Sequence, residues 1–595
     1  MVGAPWHVAS VLLLLLLRGS GFGKGLVRGT TCRTAYLASI IDDEVVAAPA
    51  VRTVFREATV ASDDGESRDN SLYRHGNLSL SFTKVIDVPN PSYVQTLKNR
   101  ILSITSFSLL RKGTIMQYDL NVGKLTAGSS ELPQTLSGDY LWPNELSQFV
   151  DHLGHTVTLI PDGFLLPGQN DGGLYAIRDP HSEQQSRPIR ITKRKPGWFH
   201  HKAVHVRLPG GKEGILTARA RKPLFGRGQG ELVWLAMPPK DTAWHSSCSV
   251  AEGDDDDDTY GDQGLEIDTA LNAPWEETVL AAGPDVMFEV VDLDPSDDCV
   301  EVIAAHFFGS QLSVHSLRAS RGAPFVEVVK STMLPTEGRP YGLCLATMPA
   351  GPWEAADQRA DKADPVPAPP SHLLVSTHEC AYDVPSALAM AWAALRGRYP
   401  RVKTGGAGSF RSGERLSLER GSKASELAAG GSLFAYELPS PRPASTQQGA
   451  GSTSPPWKVH TLFRGFKVRG WGGIFSPGAP GFPYVFNMPG QPRAAPLILL
   501  AGDCTGSAYI FAPTDRETGS REAGIHAGGK HKLKGCDRHM PTYELAFEVE
   551  CGATVGSAAV MPTNDSSGDV EIFVPSYELN RVHAFRLHRE DNSVE

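Results

Sequence analysis

Hydrophobic residues along this chain fall into short runs broken by turns, and one stretch carries the pattern most fully. From Gly283 to Leu317, GPDVMFEVVDLDPSDDCVEVIAAHFFGSQLSVHSL, an alternating run around Phe288–Val291 leads into an acidic turn. A compact apolar run, VEVIAA, follows, then a turn and a second short run, LSVHSL. Period-two alternation and apolar runs of this length predict three β-strands and two turns.

The same form of apolar run, polar residue, turn and short strand recurs seven times, beginning near Arg100, His155, Gly214, Val300, Leu373, Leu497 and Val570. In the fifth unit the closing strand is displaced to Ser432–Leu438. Just upstream of each run stands a strand start marked by Tyr93, Trp142, Trp198, Phe288, Tyr341, Tyr484 or Ser557. Downstream of most units lies a fourth strand candidate: Ile189–Lys193, Phe325–Lys330, Val459–Phe463 and Tyr543–Val549. A unit of this size cannot bury its own faces, so seven of them predict stacked blades closing into an all-β, seven-bladed propeller of four-stranded blades. Leu78–Ile86 is a strand without a place in the first blade, and the last blade lacks a fourth strand. The two are expected to pair, which removes two sheet edges at once.

Composition changes this picture at the margins. With 60 Gly and 44 Pro in 595 residues, the chain favours turns and short strands. Five segments read as surface insertions: about 249–268 with the Asp254–Asp258 run, 349–370, 397–431, 439–456 and 515–541. Their polar, Pro- and Gly-rich composition buries too little apolar surface to order itself. The balance of 57 basic and 66 acidic residues holds no basic block for nucleic acid. Val11–Leu17, VLLLLLL, is too short to span a bilayer and reads as the core of a signal peptide over 1–23, so the expected product is secreted. An extension over 24–77 and the propeller over 78–590 follow.

In an oxidising compartment the eight cysteines, Cys32, Cys248, Cys299, Cys344, Cys380, Cys504, Cys536 and Cys551, permit four disulfides with undetermined pairing. The sequons at Asn77 and Asn564 fit glycosylation there.

At Asp292-Leu293-Asp294-Pro295-Ser296-Asp297-Asp298 the chain resembles the FG-GAP/VCBS repeats, the propeller repeats of integrin α-subunits. That family's DxDxDG-type loop before an apolar strand implies Ca2+ here, with Asp292, Asp294, Ser296 and Asp298 as oxygen ligands. The glycine position holds Asp297, and the equivalent turns at 206–213 and 562–569 depart further. An Asx-type turn is the structural alternative.

Superposing the seven units places one residue after each apolar run on a common rim: Ser106, Asp162, Arg219, His306, His378, Asp503 and Tyr577, with Asn144, His200, His201, Asp285 and Arg339 beside them. Convergent donors and acceptors suit a polar ligand site. From this ring Asp162, Arg219, His306, His378, Asp503, Tyr577, His200 and Arg339 are the candidate ligand-binding residues. The expected role is recognition of an extracellular glycan or protein. The alternative is a propeller enzyme, a metal-assisted carbohydrate lyase, dehydratase or hydrolase, centred on His306, His378, Asp503 and Asp162. A purely structural extracellular protein acting through its insertions is a third class. No nucleophile elbow, zincin motif, P-loop or dinucleotide fingerprint stands in its required context.

Overall fold

A computed structural model describes residues 72–97, 100–107, 112–120, 133–164, 170–180, 188–223, 227–237, 275–320, 326–348, 369–378, 430–439, 457–467, 478–491, 494–514 and 541–590. Val11–Leu17, nearly all of the five expected insertions, and Cys32, Cys248, Cys380 and Cys536 lie outside them.

The strands form seven antiparallel sheets, each taken from consecutive chain except the last. Blade 1 holds β3 (Pro91–Leu97), β4 (Ile101–Ser106), β5 (Gly113–Asp119) and β6 (Gln134–Tyr140). Blade 2 holds β7 (Ser147–Val150), β8 (Thr156–Pro161), β9 (Leu174–Arg178) and β10 (Ile189–Arg190). Blade 3 follows with β11 (Phe199–Arg207), β12 (Glu213–Arg221), β13 (Gln229–Ala236) and β14 (Glu277–Ala282). Blade 4 has β15 (Phe288–Val291), β16 (Cys299–His306), β17 (Gln311–Ala319) and β18 (Val326–Leu334). Blade 5 has β19 (Arg339–Ala346), β20 (His372–His378), β21 (Gly430–Glu437) and β22 (Val459–Lys467). Blade 6 has β23 (Pro483–Phe486), β24 (Leu497–Ala501), β25 (Ser507–Pro513) and β26 (Tyr543–Glu550).

Blade 7 joins both ends of the chain: β27 (Ala559–Pro562), β28 (Val570–Ser576) and β29 (Arg581–Arg589) are completed by β2 (Leu78–Asp87), with β1 (Leu72–His75) outside it. The expected closure is present, antiparallel from Leu78 opposite Arg589 to Asp87 opposite Arg581, with a bulge at Thr83 where ten residues of β2 face nine of β29. The displaced strand of the fifth unit is β21, which begins at Gly430 and so takes in the last two residues assigned to the 397–431 insertion.

The core is a set of wedges between neighbouring blades. In β16, Val300, Val302 and Ala304 pack toward blade 3 while Ile303 and Ala305 pack toward blade 5. A second strand is therefore buried on both faces, and this is why it reads as a continuous apolar run rather than an alternating one. Corresponding wedges lie between every adjacent pair, including blades 7 and 1, where Ile86 and Phe573 meet Val94 and Leu102.

Cys299, Cys344, Cys504 and Cys551 are free thiols, which corrects the expectation of a disulfide at each of these four positions. Three of them are buried in the wedges or at strand ends and behave as small apolar side chains. Among the described residues no helix is long and apolar enough to cross a membrane.

Candidate functional site

First strands begin and second strands end on one face of the ring. On that face a cavity of about 330 Å3 opens, lined from six of the seven blades. Its walls are mainly aromatic: Tyr93, Phe107, Trp142, Phe164, Tyr341, Phe482 and Tyr577. On one side Trp142 is sandwiched between Phe107 and Phe164, with ring centroids 3.4 and 4.3 Å away, and Tyr577 continues the stack at 5.1 Å from Phe107. On the other, Phe482 lies between Tyr93 at 5.5 Å and Tyr341 at 4.9 Å. Flat rings stacked on one another in this way close the narrow axis with few rotatable bonds.

Three polar atoms in this lining are buried without a hydrogen-bond partner: Asn144 Oδ1, His201 Nδ1 and Asp503 Oδ2. Asn144 and His201 are 0% and 4% exposed. The Asn144 amide group is fixed because its Nδ2 donates to Gly163 O at 2.9 Å and His200 O at 2.8 Å, tying blades 2 and 3 and leaving its oxygen toward the cavity. Burial pushes His201 down to about 4, so it is neutral near pH 7. Asp503 follows β24 with φ of 51°, a backbone state that Asp tolerates better than most residues. Burial pushes its carboxyl up to about 7, with the nearby Glu578 charge adding to the rise. A buried polar atom left unpaired costs about 1–3 kcal/mol, so three of them around one cavity mark a place where a ligand can supply what is missing.

The residues expected on the rim do share this face, but most hold the scaffold. Asp162 accepts from Leu141 N at 3.2 Å and Trp142 N at 2.6 Å and thereby sets the turn that carries Trp142. Asp285 does the same for Phe307 N and Phe308 N at 2.7 and 2.8 Å. Arg219 is paired within its blade to Glu231 and Glu277, each at 2.7 Å. His200 bonds Thr217 Oγ1 at 3.0 Å, and His306 bonds Ser313 Oγ at 2.7 Å. His378 donates to Pro480 O at 3.0 Å and stacks behind Tyr341 at 4.4 Å. The Arg339 guanidinium lies over Phe307 at 5.7 Å, and Ser106 Oγ donates to Pro89 O. Of the eight candidates only Asp503 and Tyr577 line the cavity, and the Tyr577 hydroxyl donates to Phe107 O at 3.1 Å.

Apart from Tyr577, the aromatic wall was missed as a site, although the sequence carried a signal: Phe107 directly follows the rim position Ser106, and Phe164 stands two beyond Asp162. Trp198, the marker of the third strand start, packs under Lys195 Nζ at 3.8 Å.

The acidic turn between β15 and β16 carries the hydrogen bonds of an Asx-type turn. Asp294 Oδ1 accepts from Ser296 N at 3.1 Å and Ser296 Oγ at 2.5 Å, Asp297 Oδ1 accepts from Cys299 N at 2.8 Å, and Asp298 lies 3.9 Å from Arg318. Asp292 is exposed at the edge of the turn, and partial burial with the neighbouring Asp297 and Asp294 charges pushes its carboxyl up. Among the described residues no group of three or more His, Cys, Asp or Glu is placed to hold a metal ion. Of the sequons, Asn564 is exposed in the β27–β28 turn and Asn77 half-buried in the β1–β2 turn.

No family model matches the chain. No curated protein matches it either. Solved structures with a similar chain path include the N-terminal domain of Nup159, at 8% identity over 88% of this chain and 98% of that one, with a TM-score of 0.34. The PQQ-bound aldose sugar dehydrogenase of Streptomyces coelicolor covers 86% and 98% at 10% identity and a TM-score of 0.31. Penicillium chrysogenum α-L-arabinanase complexed with arabinobiose covers 86% and 99% at 10% identity and a TM-score of 0.30. At these values nothing about ligand or chemistry passes to the present chain, and the fold rests on its own sheet order.

Proposed function

We propose that this chain is a secreted propeller of the FG-GAP/VCBS kind that acts as a binding module, taking part of an extracellular glycan or protein into the aromatic cavity on its axis. The observation that carries this reading is the cavity itself, with seven aromatic side chains and three unpartnered polar atoms around about 330 Å3. That size admits one sugar ring or one side chain, at the lower end of ordinary small-ligand pockets. Secretion is supported by the apolar Val11–Leu17 run. The enzyme alternative needs His306, His378, Asp503 and Asp162 around one reacting atom, whereas His306, His378 and Asp162 are each bonded to other protein groups and only Asp503 lines the cavity.

The test is a glycan and protein-partner screen with the secreted chain, repeated with Trp142→Ala. Trp142 is the middle ring of the stack, so the variant is expected to lose binding at least tenfold while keeping the strand signature in circular dichroism. Unchanged binding by this variant would place the recognition surface elsewhere.

A further inference from the structure

We infer that the group captured in the cavity is a hydroxyl-bearing organic ammonium, of amino-alcohol or amino-sugar size, with Asp503 as its counter-ion. This rests on the binding reading above and narrows it.

Three observations converge. Aromatic rings make up much of the wall and keep water out of it, which strengthens any charge pairing inside. The lining holds two carboxylates and no Lys or Arg. Glu578 is engaged, accepting from Thr554 N at 2.6 Å and Thr554 Oγ1 at 2.7 Å, while Asp503 Oδ2 is unpartnered. Next in the chain to the lining residues Asn144 and His201, Glu145 and Lys202 form a cluster with Glu289, in which Lys202 is shared between Glu289 at 2.8 Å and Glu145 at 3.5 Å, one more carboxylate than ammonium. An anion would meet repulsion throughout. A neutral sugar would stack but leave the buried carboxylate without a counter-charge. An ammonium supplies it, and hydroxyl groups on the same ligand donate to Asn144 Oδ1 and pair with His201 Nδ1.

The groups facing Asp503 are Glu578, the Cys504 thiol, Tyr93 and Tyr341. Burial pushes Cys504, Tyr93 and Tyr341 upward, so all three stay neutral through the neutral range. Asp503, pushed up to about 7, is then the group whose ionisation sets cation affinity there. Because the ligand favours the carboxylate, affinity rises with pH up to about 7 and levels above it, at up to tenfold per pH unit below.

Calorimetric titration of the whole secreted chain with choline, whose charge is fixed, against its neutral isostere 3,3-dimethylbutan-1-ol, and with glucosamine against N-acetylglucosamine, tests this. The expected result is that the ammonium partner of each pair binds at least tenfold tighter, that choline weakens from pH 8 to pH 5.5, and that Asp503→Asn erases the preference. Preference for choline alone assigns an amino-alcohol source, and for glucosamine alone an amino-sugar source. Equal binding within each pair overturns the inference, as does a preference that survives Asp503→Asn or a flat pH profile. Should Asp503→Asn fail to fold, the pH series on the unaltered chain decides. Failure of both ammonium ligands alongside Trp142-dependent capture of a neutral glycan sinks the cation and leaves the binding module intact; no ligand at all, with Trp142→Ala indifferent in the screen, sinks both.

Discussion

Burial pushes Asp285 and Asp503 up to about 7 alike, yet their oxygens do different work. Both oxygens of Asp285 accept backbone amides, so Asp285→Asn puts an N–H donor where Phe307 N or Phe308 N needs an acceptor. The expected cost is about 1–3 kcal/mol in thermal or denaturant unfolding. Asp503 Oδ2 meets no partner, and Asn keeps its shape and its tolerance of positive φ. Each carboxyl holds its proton more tightly folded than unfolded, so the stability it adds is full below about pH 4 and is lost as pH rises through 7. Asp503→Asn is therefore expected to unfold later than the parent at pH 8, by about 1–2 kcal/mol, with a flatter dependence between pH 5 and 8. A lower melting temperature for Asp503→Asn at pH 8 would contradict this. Registering the units found Asp503 and Tyr577, because strand period fixes which residues share a rim. It could not separate Asp503 from Asp162, since a polar residue at a strand end finds either a ligand or the amides of the next turn, and only side-chain direction decides.

Elements were legible in proportion to how many faces they bury. Second strands such as β16, β20 and β28, buried throughout, stood out as apolar runs. Outer strands were found where they carry apolar residues, as in β18 and β26, but β6, QTLSGDY, and β14, ETVLAA, are half-exposed and gave no usable signal. Charge inside the inner strands was equally hidden, because Glu145, Lys202 and Glu289 are far apart in sequence and meet only when blades 2, 3 and 4 close on the axis. Burial works against the Lys202 ammonium, and the two carboxylates overcome it and push its pKa up. Replacing it by Met leaves two carboxylates with no cation between them. The expected loss for Lys202→Met is about 3–5 kcal/mol near pH 8. It should be smaller at pH 5 than at pH 8, because burial and the Glu289 charge push the Glu145 carboxyl up and the lost ammonium no longer opposes them. Melting curves at the two pH values check both the size and the direction of that difference.

A ring of wedges has no centre of its own, so its integrity depends on every junction being made, and one junction is made by the chain's first described strands. β2 supplies Leu78 and Leu80 to the wedge between blades 6 and 7 and Ile86 to the wedge between blades 7 and 1. Burying side chains of this kind contributes about 1.5–3 kcal/mol each, before the ladder to β29 is considered. Losing β2 also turns β29 into an open edge, with Val582, Ala584, Phe585 and Leu587 stripped of a neighbour. A chain beginning at Leu72 is therefore expected to unfold in one cooperative transition. One beginning at Val88 is expected to melt at least 10 °C lower or to associate through the bare edge, visible as concentration-dependent light scattering. The same truncation opens the cavity wall, because Tyr93 bridges to Ser557 across the blade 7 to blade 1 junction, so ligand affinity should fall with stability. A Val88 chain that melted like the Leu72 chain would mean that the seven wedges hold without their clasp, and that the pocket on the axis does not depend on a closed ring.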